Sequence, residues 1–401
     1  MATALAVAII IGLVLFLPSG VLNLRAQEGI FPVVAVGYMV GMALAAYAGF
    51  ASGLFLLVVI LLAVLNFTPG AWDVMQYAIV MCGFYLLLVS MRGEIVKRKD
   101  FIYNVVCLVA LLNVAWLALQ RMGVFLFFYP RGSAETLSTG FFANQNEVSV
   151  FLAMALPCFM RSGWCWLMPL VIAGLVLAQT ANGMVATICI GIVMILRWCV
   201  GRYSVRRVAL VCIASMVLGL GVLQVVHPVI GEPSTNQRIA AWTRALPLAA
   251  EKPLLGWGLG QGKYILPLYL NAREVPKRYA AAMYERVSYR DDLKALFAKN
   301  IPPESNEIRA AWTHLHNEYL QWWVEAGALG MGALVLLIWA HGFFFLRTRD
   351  RDWVPALGIL AALCTACFFF TFQIGRLLFL AVLYAAMVQS AYLDRSQQGD
   401  S

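Results

Sequence analysis

Long apolar stretches recur along this chain at 3–22, 31–47, 50–66, 74–91, 101–120, 146–161, 164–179, 181–197, 208–227, 321–346, 353–371 and 374–392. Most approach or reach the roughly 17–25 residues with which a helix crosses a bilayer. Barrel strands would alternate polar and apolar residues, and these stretches do not. The fold class they dictate is an all-α polytopic membrane protein with about twelve transmembrane helices. Composition agrees, at 62% hydrophobic and 12% charged residues, where soluble domains are about half apolar and a quarter charged. The first stretch has no basic residues before it and no small-residue cleavage site, so a retained span is expected rather than a signal peptide.

The net charge of +9 does not point to nucleic acid, because the basic residues sit between apolar stretches, where they act as topology signals. Arg92, Lys97, Arg98 and Lys99 follow the fourth stretch and Arg161 the sixth. Arg197, Arg202, Arg206 and Arg207 follow the eighth. Arg347, Arg349 and Arg351 follow the tenth, and Arg395 the twelfth. All these clusters fall on one side, which the positive-inside rule makes the cytoplasm, with both termini there. The opposite side then holds a short loop, 121–145, and a large one, 228–315. The expected organisation is helices one to nine over 1–227, the large loop, and helices ten to twelve with a short tail over 316–401. The large loop carries twelve Lys/Arg against eight Asp/Glu, which suits an anionic lipid head group and equally a solvated surface. The nine cysteines lie in or beside apolar stretches, so neither a disulfide framework nor a zinc site is suggested, and Cys364 and Cys367 read as small buried residues.

Chemistry concentrates in THLHNEYLQWWVEAGALG, residues 313–330, which holds His314 and His316, two of the four histidines. Asn317, Gln321 and Glu325 are spaced to form one polar stripe on a helix, with His316 beside it. Trp322 and Trp323 mark the membrane interface, and Gly327, Gly330 and Gly332 suit close helix contact. Polar groups at that depth are functional candidates. A neutral imidazole can take a proton from a hydroxyl; a histidine merely satisfied at the interface is the plainer alternative.

Two further segments stand out. In NQRIAAWTRALPLAAEKPLLGWGLGQG, 236–262, residues 237–250 look helical, with Arg238 and Trp242 one turn apart. Pro253 and the alternating Gly256, Gly258, Gly260 and Gly262 follow. No strand precedes these glycines, so a dinucleotide site is not expected. Arg238 or Arg244 could clamp phosphate oxygens. In GFFANQNE, 140–147, Asn144 and Asn146 lead into an apolar stretch, where helix capping is a sufficient explanation. No DxD, HExxH, P-loop or serine-hydrolase elbow serves the outer side, so no cofactor or metal is expected. His341 lies toward the cytoplasmic end of stretch ten and reads as structural.

Taken in order, GFFANQNEVSVFLAMALP, the arginine–tryptophan–proline–glycine block and HNEYLQWWVEAGALG resemble the O-antigen ligase family of bacterial inner-membrane glycosyltransferases, over about residues 135–345. That superfamily includes O-antigen polymerases and protein O-oligosaccharyltransferases. The resemblance implies a fold like that of C-type glycosyltransferases and a metal-independent, inverting transfer at the periplasmic face. The donor would be a glycan on undecaprenyl diphosphate. The acceptor would be a lipid A–core sugar, another lipid-linked repeat, or a pilin hydroxyl. His316 would be the general base and Arg238 the ligand of the leaving diphosphate. His314, Arg244, Asn317, Gln321, Glu325, Asn144, Asn146, Gly256 and Gly258 would line the substrates. One departure stands out: many relatives carry a second arginine in a serine–arginine–glycine setting, and the nearest stretch here has Asn182. Arg244 or Arg309 is the expected substitute, or the diphosphate is held differently. A secondary transporter, such as a lipid-linked glycan flippase, also fits twelve spans. Transporters place ionisable sites near the midplane, often within repeats; here the midplanes are almost free of charge and no repeat is visible.

Overall fold

A computed structural model gives the fold. It describes residues 81, 84–85, 88–124, 139–142, 144–199, 214, 221, 233–262, 265, 295, 315–348, 352–369, 371–373 and 375–399. The spans expected at 3–22, 31–47 and 50–66, nearly all of 208–227, and most of the large loop lie outside these residues, as does His314. Among the described residues every regular element is a helix. Three are long and apolar enough to cross a membrane: Lys99–Arg121, Glu318–Arg347 and Arg376–Asp394. Shorter apolar helices run over Cys165–Leu177, Ala181–Arg197 and Trp353–Ala366. The chain divides into two compact units, residues 1–48, 84–232 and 341–401 in one, and residues 49–83 and 233–340 in the other.

The first unit contains α1 (Arg92–Lys97), α2 (Lys99–Arg121), α3 (Gln145–Arg161), α4 (Met168–Leu177) and α5 (Ala181–Cys199). Its central helix is α3, which contacts α2, α4 and α5. Every residue from Val148 to Phe159 is buried, as a helix apolar all round should be. Asn144 starts it from an extended backbone, its side chain accepting the Asn146 N–H at 2.8 Å. At the far end of α2, the Arg121 guanidinium donates to the carbonyl of Leu177 at 2.8 Å, capping the last turn of α4. Gln179 continues that end with a left-handed φ of 53°. Small residues allow close contact where apolar helices meet: a Cβ on Gly183 would strike the Ser149 carbonyl.

The second unit has α6 (Pro233–Glu251) and most of α7 (Glu318–Arg347). Helix α6 begins four residues before the segment read as helical and carries Pro247 inside it. Helix α7 covers the tenth apolar stretch but is not continuous: Gly327 has φ 61° and ψ −161°. The first unit resumes with the end of α7, α8 (Trp353–Ala366) and α9 (Gly375–Gly399). Helix α8 ends five residues before the apolar stretch does, and the chain passes through a short 3-10 turn, Thr371–Gln373. Asp352 caps α8 through the Val354 N–H at 3.1 Å and also accepts the Tyr103 hydroxyl at 2.9 Å. His341 meets the Tyr85 hydroxyl at 3.1 Å, a structural contact of the kind expected for it.

Candidate active site

The polar stripe forms as its spacing requires. Asn317 caps α7 by accepting the Leu320 N–H at 3.0 Å. One and two turns on, Gln321 and Glu325 are both buried, and Gln321 Nε2 donates to Glu325 Oε1 at 3.1 Å. His316 immediately precedes the cap and has φ 51°. A left-handed backbone costs an L-residue roughly 1–2 kcal/mol, so the surroundings have to impose it. The residue before it is gripped on both sides. The Leu315 N–H donates to Gln321 Oε1 at 3.3 Å, and its carbonyl accepts Trp242 Nε1–H at 2.6 Å. Trp242 lies one turn along α6 from Arg238, which is partly buried. The candidate base and the candidate diphosphate ligand thus sit on two elements joined by a hydrogen bond.

Beneath the stripe, residues 253–258 are spliced into the break of α7. In an unbroken helix the Ala328 and Leu329 N–H groups would bond to the carbonyls of Val324 and Glu325. Here they donate to Pro253 and Leu254 at 2.8 and 3.2 Å. The two carbonyls accept instead from Trp257 and Gly258, each at 2.9 Å. All four groups are satisfied, as buried backbone must be. Both chains need glycine to come so close. A Cβ on Gly256 (φ 70°) would strike the Glu325 carbonyl, and one on Gly327 would strike the backbone of Leu254. Discontinuous helices also build transporter sites, but this gap is filled by the protein's own backbone.

The glycine turn then closes on Glu325. Gly260 N–H donates to Oε2 at 2.7 Å and Gly262 N–H to Oε1 at 3.0 Å. Successive backbone N–H groups make an anion cradle, and its anion here is a side chain of the same unit. Gly256 N–H bonds to the Lys252 carbonyl at 3.0 Å. The turn is further anchored by Trp257, whose Nε1–H reaches the Leu248 carbonyl at 2.8 Å while Lys252 Nζ lies 4.6 Å over its ring. Between the two latched glycines sits Gln261. It is fully buried, and among the described residues neither end of its carboxamide has a hydrogen-bond partner. The sequence reading does not anticipate it; its only signal is its place inside the glycine run.

The asparagines of the first unit form their own network. Asn182 Nδ2 donates to Asn146 Oδ1 at 2.9 Å. Ser149 Oγ accepts the Thr180 hydroxyl at 2.6 Å and the Gly183 N–H at 3.2 Å. The turn before Asn144 is held from α2, where Gln120 Oε1 accepts the Thr139 and Gly140 N–H groups, each at 3.0 Å, and Asn113 Oδ1 accepts Phe141 N–H at 3.0 Å. Arg376, 2% exposed, donates to the Phe141 carbonyl at 2.8 Å and lies over the Phe142 ring. The sequence did offer a signal for Arg376, a lone cation in an apolar stretch. The side chain of Arg244 lies outside the described residues, and so does Arg309.

Residues 166–335 match the family model described as O-antigen ligase. The match supports membership of the O-antigen ligase superfamily. It covers both the glycine turn and the histidine turn; the glycine–asparagine block at 140–147 precedes it. Membership supports a ligase- or polymerase-type glycosyltransferase, with a lipid-linked glycan and an acceptor as partners in general. Superfamily and apolar helices together support a membrane protein. No curated protein is significantly similar to the chain.

Proposed function

We propose that the protein transfers a glycan from undecaprenyl diphosphate to an acceptor hydroxyl at the periplasmic face of the bacterial inner membrane, without a metal. The acceptor favoured is a lipid A–core sugar. The observation that carries this reading is the left-handed His316, gripped through Leu315 by Trp242 on one side and Gln321 on the other. The His316 imidazole takes the proton of the acceptor hydroxyl as its oxygen attacks the anomeric carbon. The bond from that carbon to the diphosphate oxygen breaks with its electron pair, and undecaprenyl diphosphate leaves. Attack opposite the departing group inverts the anomeric centre. Arg238, one turn from Trp242, stabilises the charge that develops on the diphosphate. Asn317 orients the histidine turn by capping the helix behind it, and Gly256 and Gly258 shape the floor.

The test is the glycolipid profile of a strain lacking the gene, complemented with the wild-type gene or with His316→Ala. Full-length polymer retained on the undecaprenyl carrier and absent from lipid A–core is the expected result. Core molecules bearing a single repeat would identify a polymerase instead. An unchanged profile would remove lipopolysaccharide from the reading and make a pilin-type protein the acceptor to examine.

A further inference from the structure

We propose that Gln321 and Glu325 are positioning residues that preset the left-handed turn of His316 through a carboxylate-oriented amide. The inference rests on His316 as the base. A carboxamide by itself is ambiguous, because its oxygen and nitrogen can exchange places. An ionised carboxylate only accepts hydrogen bonds, so it dictates which way a neighbouring amide faces. Glu325 is fixed in turn by the two glycine N–H groups, at 2.7 and 3.0 Å. Its Oε1 takes Gln321 Nε2–H at 3.1 Å, which turns Gln321 Oε1 toward the Leu315 N–H at 3.3 Å. Were the amide reversed, an N–H group would face an N–H group at Leu315.

The path thus runs from the glycine turn through two side chains to the peptide unit before the base. It accounts for why a buried acid sits two helical turns below His316 with its oxygens facing main-chain N–H groups of its own unit. Trp242 alone grips only the carbonyl of Leu315; the amide side depends on Gln321. A reacting group displaced by about 1 Å loses on the order of 100-fold in rate, so a turn of this kind is worth holding at both ends.

Two measurements test the proposal. The first is hydrogen–deuterium exchange of the detergent-purified full chain. Peptides containing Gly260, Gly262 and Leu315 are expected to be protected in the wild-type protein. In Gln321→Met the Leu315 peptide is expected to exchange about tenfold faster or more, while the Gly260–Gly262 peptide is unchanged. The second is transfer kinetics, with undecaprenyl-diphosphate glycan extracted from host membranes and lipid A–core from a strain lacking the gene. Gln321→Met is expected to lower kcat about 10- to 100-fold per folded molecule, with both KM values within about twofold. Gln321→Glu sets two carboxylates against each other and should be as poor; Glu325→Gln cannot rescue it, because Glu325 Oε1 also accepts the Gly262 N–H and a carboxamide nitrogen there would face that group. A folded Gln321→Met protein with wild-type kcat overturns the proposal. So does rapid exchange at Gly260 and Gly262 in the wild-type protein, a result that needs no variant. Wild-type activity surviving His316→Ala would instead defeat the reading of the base. If the wild-type protein transfers nothing with these substrates, the functional reading fails while the exchange result still decides the latch.

Discussion

The asparagine cluster of the first unit and the histidine turn of the second are both built from amide side chains at the ends of apolar helices, yet they use their hydrogen bonds differently. In the first, neutral groups serve neighbouring caps and turns: Asn144 caps α3, Asn146 meets Asn182, and Gln120 holds two N–H groups. Its left-handed residues do ordinary jobs: Gln179 ends a helix and Gly140 makes a turn. In the second, a carboxylate fills a backbone cradle, a left-handed histidine stands ahead of a cap, a helix is broken, and a buried carboxamide is unsatisfied. Polar content therefore does not mark the candidate site. A helix broken by an inserted backbone segment and a left-handed residue standing ahead of a cap do.

The sharpest way to break this contrast is to compare alanine variants in one transfer assay. His316→Ala is expected to lose on the order of 10²–10⁴-fold in rate, whereas Asn146→Ala should lose less than about tenfold, since it removes only two neutral side-chain bonds, to Asn182 and Asn144. A comparable loss at Asn146 would make the first cluster part of the chemistry. Next come the two tight glycines. Gly327→Ala adds a clash to a positive φ and should destabilise the protein by roughly 3 kcal/mol or more. Gly183→Ala adds only a clash within a regular helix and should cost about 1–3 kcal/mol. Thermal unfolding in detergent ranks the pair, and equal losses would mean that the splice carries no special strain. A smaller effect is expected at the cap of α3, where Asn144→Ala should cost about 1 kcal/mol with transfer per folded molecule unchanged. The smallest change in stability belongs to Gln261→Leu. Removing a carboxamide that has no partner should leave the unfolding temperature equal or higher. The KM for the lipid-linked donor should rise if that carboxamide serves a substrate, and an unchanged KM would return Gln261 to a packing role.

Much of the helical frame was legible because apolar length is a local property. The stretches at 101–120 and 146–161 lie within a residue or two of α2 and α3. The stripe Asn317–Gln321–Glu325 was legible for the same reason, since a period of 3.6 places those side chains in line. Its partners were not. Gly260 and Gly262 lie some sixty residues earlier, and nothing near Glu325 names them. The break at Gly327 was read as a place for close helix contact; it is a close contact, but with a glycine-containing turn, and the pairing with 253–258 that opens the helix is entirely long-range. Asn182, noted for the arginine it replaces, hydrogen-bonds to Asn146, which explains how an amide is held there and leaves the missing cation to Arg244 or Arg309.

The splice also has a consequence for how the chain is made. Residues 253–258 leave the ribosome before Gly327 does, so their carbonyls and N–H groups are already in existence when α7 forms. Without them α7 could close as an unbroken helix, the Ala328 and Leu329 N–H groups bonding to the Val324 and Glu325 carbonyls; with them, four backbone bonds to another segment replace those two. The order of synthesis thus has the pairing segment present before the helix it breaks, and none of the four groups is left unpaired.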